Sequence, residues 1–133
     1  MARLIETSLW VDFTRSRTPA AQKAAIQRWI LDPDAWLCEP VAFEVLRHAT
    51  AKERPLIEAQ FATLPLLSTP AGLWRDAARL GQACRDQGFT AGSLDLVIAA
   101  LAIHHHAELI TFDTDFQAIR GASALRIQLL PRL

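Results

Sequence analysis

Short apolar runs alternate with longer runs of helical periodicity along this chain. Residues 3–5 are partly apolar and Glu6-Thr7-Ser8 follows at once, which predicts a strand ending in a loop. Residues 8–15 predict a short helix with Leu9, Trp10 and Phe13 on one side. Residues 20–31 give a clearer helix, in which Ala21, Ala25 and Trp29 recur at helical spacing until Asp32-Pro33-Asp34 stops the run. Residues 35–38 predict a second strand. Pro40 suits the first position of the helix that follows, reaching about residue 51. Residues 53–63 predict a further helix, with Pro55 near its start, and residues 64–67 a short third strand. Residues 71–87 form a long amphipathic helix with Trp74, Ala77, Gly81 and Cys84 on one face and Arg75, Asp76, Arg79 and Asp86 elsewhere, closed by Gly88. Residues 93–105 are almost wholly apolar, as in a central buried helix. A strand at 108–111, a helical turn at 115–119 and a strand at 126–130, with Ile127 and Leu129 alternating, complete the pattern.

Strands alternating with helices predict an α/β fold, an open parallel sheet covered on both faces. Right-handed crossovers then bring the C-terminal end of every strand to one rim. Ligands of such sheets bind at that rim, near the point where the strand order reverses.

Composition narrows the classes. The 133 residues suit one domain, and 51% hydrophobic with 21% charged residues argues against disorder or coiled coil. Fourteen basic residues balance fourteen acidic ones, which excludes a strongly cationic, charge-driven nucleic-acid binder but not a local basic groove. Cys38 and Cys84 lie in apolar segments without metal-ligand spacing and read as buried free thiols. With no signal-peptide pattern and no run long enough to span a bilayer, the expected location is the cytoplasm, with no membrane partner.

Most carboxylates sit on polar helix faces or in turns. Four lie where the pattern does not ask for a charge. Glu6 follows the first strand, and Glu44 interrupts Val41-Ala42-Phe43-Glu44-Val45-Leu46. Asp95 opens the most apolar helix, and Asp113 follows the strand at 108–111. The element order places all four on the same rim. Each also has an ordinary reading. Asp95 could favour a helix N-terminus capped by Ser93, Glu44 could pair with His48 or Arg47, and Glu6 and Asp113 could be loop residues. Four converging carboxylates would raise one another's pKa values unless a cation compensates, and hard divalent cations prefer all-oxygen sites.

Other motifs are weaker. His104-His105-His106 point in different directions on a helix and cannot converge on one ion; their place suits a helix C-terminus. There is no Gly-rich phosphate loop, no nucleophile elbow and no Ser-His-Asp order. Trp10, Trp29, Trp36 and Trp74 read as core or interface residues.

The segments Leu4-Ile5-Glu6-Thr7-Ser8-Leu9-Trp10-Val11-Asp12-Phe13, Pro40-Val41-Ala42-Phe43-Glu44-Val45-Leu46, Asp95-Leu96-Val97-Ile98-Ala99-Ala100-Leu101-Ala102 and Leu109-Ile110-Thr111-Phe112-Asp113-Thr114-Asp115-Phe116 resemble, in order and spacing, the PIN-domain family. Within it the resemblance is in particular to the VapC-type toxins of bacterial toxin–antitoxin pairs. The resemblance implies one PIN-like domain over residues 1–133, a three-layer α/β/α fold with a five-stranded parallel sheet. It implies a Mg²⁺- or Mn²⁺-dependent ribonuclease leaving 5′-phosphate and 3′-hydroxyl ends. It also implies a homodimer, or a complex with a small antitoxin that covers the active site. The family's acidic quartet falls on Glu6, Glu44, Asp95 and Asp113. Glu6, Asp95 and Asp113 would be the main metal ligands, with Asp115 a secondary acid, and Glu44 would hold a water or a second ion. Thr7, Ser8 and Thr111 would support the site. Arg15, Arg17 and Arg47 are candidates for the RNA backbone, and the groove between the helices at 20–31 and 53–63 for an antitoxin helix.

One departure matters. The family normally has Asp at the first position, and Glu6 reaches one methylene further. In a site that must hold its geometry to about half an ångström, the change bears on activity. The alternative reading is therefore an impaired PIN module acting through antitoxin binding and operator repression. A phosphatase or phospho-acceptor domain fits poorly. It needs an Asp after the strand and a downstream Lys, and the only lysines are Lys23 and Lys52.

Overall fold

A computed structural model describes residues 1–133. The elements run β1 (Arg3–Ile5), α1 (Thr7–Thr14), α2 (Ala20–Ile30), β2 (Ala35–Trp36), α3 (Glu39–His48), α4 (Arg54–Phe61), α5 (Leu73–Asp86), α6 (Ser93–His104), β3 (Glu108–Thr111), α7 (Asp115–Gly121) and β4 (Arg126–Leu129). The strands form one parallel sheet in the order β2-β1-β3-β4. The register pairs Leu4 with Trp36 on one side and with Leu109 on the other.

The expected fifth strand is reduced to a single parallel bridge between Leu37 and Leu66. Leu37 donates to Pro65 O at 2.9 Å and Leu67 donates to Leu37 O at 2.8 Å. The segment cannot extend that ladder, because Pro65 has no N–H and Pro70 ends the run soon after.

Apolar burial follows the pattern. Leu4, Ile5, Leu109 and Ile110 of the two central strands are fully buried, as are Ile98 and Leu101 of α6. On α5 the buried face is Leu73, Ala77, Leu80 and Cys84, one position round from the expected one, and Trp74 is 69% exposed. On α2 the same rotation buries Gln22, Ile26 and Ile30 and leaves Ala21 exposed. Trp10 is the aromatic centre of the core, packed edge-on against Phe61 at 4.9 Å. Gly72 and Gly88, at φ 83° and 85°, supply the left-handed backbone that brackets α5.

Strand order positions the site. From β1 the chain winds outward to β2, then crosses back to place β3 on the other side of β1. The order therefore reverses at β1 and β3, and their C-terminal ends flank the crevice where such sheets take ligands. Ile98→Ala should lower the unfolding free energy by about 2–5 kcal/mol in chemical denaturation, as buried truncations do. Trp74→Ala should change it by less than about 0.5 kcal/mol.

Candidate metal centre

Glu6 lies where β1 turns into α1. Its N–H still pairs with Ile110 O at 3.0 Å, continuing the ladder to β3, while its side chain caps α1. Oε1 accepts three hydrogen bonds: from Ser8 N–H at 3.1 Å, Ser8 Oγ at 2.6 Å and Thr111 Oγ1 at 2.6 Å. The two hydroxyls in turn accept from the backbone, Ser8 Oγ from Phe112 N–H at 3.0 Å and Thr111 Oγ1 from Asp113 N–H at 2.9 Å. Each hydroxyl thus has its proton on Glu6 and a lone pair on the β3–α7 loop. The carboxylate also meets the positive end of α1.

Glu44 sits on α3 and accepts from Thr7 Oγ1 at 2.6 Å. It does not pair with Arg47 or His48, which meet each other at 3.0 Å. Asp95 is in the first turn of α6, but the N-cap is Gly92 and not Ser93, and no side chain caps that helix. Asp113 follows β3, and its Oδ1 accepts from Asp115 N–H at 2.9 Å, which starts α7. Thr7, Ser8 and Thr111 thus hold the two glutamates.

Glu6, Glu44, Asp95 and Asp113 line one cavity of about 280 Å³ together with Thr7, Ser8, Val11, Asp12, Arg15 and Arg132. Ligand oxygens of Asp95, Asp113 and Asp115 all lie within 4.8 Å of one another. Glu6 and Glu44 face the same cavity outside that close group of three. Of the arginines considered above, Arg15 lines the cavity; Arg17 and Arg47 do not. Asp12 and Arg132 carry no signal in the sequence pattern. Asp12 sits on an ordinary helix face, and Arg132 lies beyond the last strand.

The acids of the predicted set are uncompensated in this cavity. Burial pushes the Glu6 carboxyl up; the Ser8 and Thr111 hydrogen bonds oppose that, and Asp113 adds to it. Asp95 rises from the usual 3.8 to about 7, first through burial and then through Asp113, Glu6, Glu44 and Asp115. None of these five acids has a basic side chain within ion-pair distance. The opposite rim differs: there Arg3 gathers Asp32 at 2.9 Å, Glu108 at 3.5 Å and Asp34 at 4.0 Å. An all-oxygen set of neighbouring carboxylates with no ion-paired arginine fits a hard divalent cation. His104, His105 and His106 take no part: His105 Nε2 bonds Ser68 O at 2.7 Å, at the end of α6.

The PIN domain family matches residues 3–122. The chain belongs to the PIN-domain family. This PIN domain is 35% identical over 128 residues to VapC ribonuclease Mb1587 of Mycobacterium bovis, covering 92% of this chain and 95% of that protein. Ribonuclease VapC11 of Mycobacterium tuberculosis matches to the same extent. Among solved structures, VapBC2 from Rickettsia felis bound to a promoter DNA fragment superposes with a TM-score of 0.78 at 16% identity, covering 98% of this chain and all of that one. VapBC-1 from nontypeable Haemophilus influenzae gives 0.74 at 20% identity, covering 97% and 98%. At these identities the structural likeness concerns the fold. No helix of this PIN domain is long and apolar enough to cross a membrane.

The raised Asp95 pKa makes metal-free stability depend on pH. Folded protein keeps a proton that unfolded chain has lost between pH 3.8 and about 7, so this contribution is full below 3.8 and gone above about 7. Asp95→Asn should therefore raise the melting temperature in EDTA by a few degrees at pH 8 and hardly at pH 4. Added Mn²⁺ should stabilise the wild type at pH 8 more than the variant. Thermal melts at the two pH values, with and without metal, check both outcomes.

Proposed function

We propose that this chain is a metal-dependent endoribonuclease, the toxin of a VapBC-type toxin–antitoxin pair, acting in the cytoplasm as one PIN domain over residues 1–133. The observation that carries this reading is the meeting of Glu6, Glu44, Asp95 and Asp113 around one cavity, with Asp115 beside them and no basic counter-charge on the acids. The ribonuclease names of relatives 35% identical over 92% of the chain support it. They favour it over the impaired-module alternative that Glu6 suggests.

Asp95, Asp113 and Asp115 would hold Mg²⁺ or Mn²⁺, with Glu6 completing the set. When bound, such an ion neutralises charge building on the phosphate oxygens and lowers the pKa of water. The side chains supply the rest. Ser8 and Thr111 take Oε1 of Glu6 and leave its second oxygen without a hydrogen bond. Thr7 holds Oε1 of Glu44 and leaves Oε2 to orient the attacking water and accept its proton. Ionised acids repel a phosphodiester, so RNA enters only with cationic compensation.

The VapBC complexes of similar fold support a small antitoxin as partner. An amphipathic antitoxin helix would take the groove of about 370 Å³ between α1, α2 and α4, lined by Trp10, Phe13, Lys23, Leu56, Ile57 and Gln60. A homodimer is the assembly the family resemblance implies.

With Mn²⁺ the protein should cleave RNA, single-stranded or structured, and EDTA should stop it. Asp95→Asn should lower the rate at least about 100-fold, beyond the loss typical of supporting residues. Cleavage untouched by chelation or by this substitution would end the reading. Glu6→Asp should give no gain in rate, because the shorter side chain withdraws from Ser8 and Thr111; a large gain would instead support impairment.

A further inference from the structure

Two arginines line the acidic cavity, and only one is held in place. Arg15 makes no ion pair or hydrogen bond through its side chain. Arg132 donates from Nε to Asp12 Oδ2 at 2.8 Å, and its guanidinium lies over the Phe112 ring, 4.9 Å from the centroid. Asp12 belongs to α1, which Glu6 caps; Phe112 lies between Thr111 and Asp113. The tail beyond is pinned as well: Leu133 N–H donates to Gln22 Oε1 at 2.9 Å. Arg132 is thus fixed to the helix that Glu6 caps and to the residue before Asp113, though its side chain stays 56% exposed.

Its donors are only partly used. A guanidinium has five N–H groups, and here only Nε is engaged, so Nη1 and Nη2 have no protein partner. A guanidinium stacked on an aromatic face keeps its edge free, and that edge matches two oxygens of a phosphate. Fixing the fork beforehand removes much of the ordering cost of the contact. The surrounding acids repel RNA, so a fixed cation at the cavity mouth is what a strand needs to approach them.

We propose that Arg132 is a phosphate-binding residue, whose Nη1 and Nη2 grip the RNA backbone beside the scissile bond and set the strand's register over the acidic cavity. This rests on the ribonuclease reading and adds a contact from the C-terminal tail. Phe112 and Asp12 act through Arg132 as positioning residues.

The test is steady-state cleavage of a short single-stranded RNA by the full chain with Mn²⁺, across a range of KCl concentrations. Melting temperatures are measured in parallel. Arg132→Ala should raise KM about tenfold or more, the range for hydrogen bonds to charged groups, with kcat within about threefold. Its affinity for the same RNA in EDTA, read by fluorescence anisotropy, should lose about 0.7 from the slope against log salt, one phosphate contact fewer. Arg132→Lys should recover part of the loss, because it restores charge without the fork. Arg126→Ala, the same loss of charge at the far end of β4, should leave KM and slope unchanged. Wild-type KM and salt slope in Arg132→Ala would overturn the proposal. So would a fall in kcat that tracks a lowered melting temperature, which marks a mere fastening of the tail. A wild type that cleaves no RNA with Mn²⁺ removes the ribonuclease reading and this proposal with it. A wild type that cleaves beside an unaltered Arg132→Ala removes only the proposal.

Discussion

A carboxylate taken out of water needs donors, a counter-charge or a proton. Glu6 finds donors, and most of the rim is arranged by that need. Parallel pairing of β1 with β3 brings Thr111 across to Glu6, and the first turn of α1 brings Ser8 back to it. The same two hydroxyls hold the backbone of Phe112 and Asp113, so the path of the chain after β3 depends on the carboxylate at the end of β1. Asp95 has no such donors, and burial beside four other acids raises its carboxyl pKa as burial raises that of Glu6. A hydrogen-bonded acid next to one without donors is the division expected where scaffold and chemistry share a pocket.

Much of the fold was legible because the hydrophobic period changes cleanly between strand and helix. The misreadings have local causes. Helical spacing puts Trp74 and Gly81 on the apolar face of α5 with Ala77 and Cys84, yet Leu73 and Leu80 satisfy the same spacing and are the ones buried. The segment at 64–67 has the composition of a strand, but Pro65 removes a donor, and one bridge is all that survives. Ser93 looked like a cap because of its residue type; the backbone places Gly92 there instead.

The acids of the site were legible because they interrupt apolar runs, where a solvated charge has no reason to be. Arg132 and Asp12 were not, because their meaning comes only from tertiary return. The tail folds back from β4 onto α1, across 120 residues of sequence, and onto a ring of the nearer β3–α7 loop. No periodicity or spacing reports a contact of that kind. Among Arg15, Arg17 and Arg47, sequence distance from the acids was uninformative for the same reason, and only Arg15 reaches the cavity.

The margins of the sheet have a bearing on how this molecule can associate. On one flank β2 has two residues and its outer neighbour touches it once, beside Pro65. On the other, β4 has four residues, starts at the exposed Arg126 and stops before Pro131. Neither flank offers a long row of free backbone groups on which another chain could template itself. Companions must therefore come in sideways, through grooves and helical faces, and the protein is guarded against fibre-like stacking while those faces stay open.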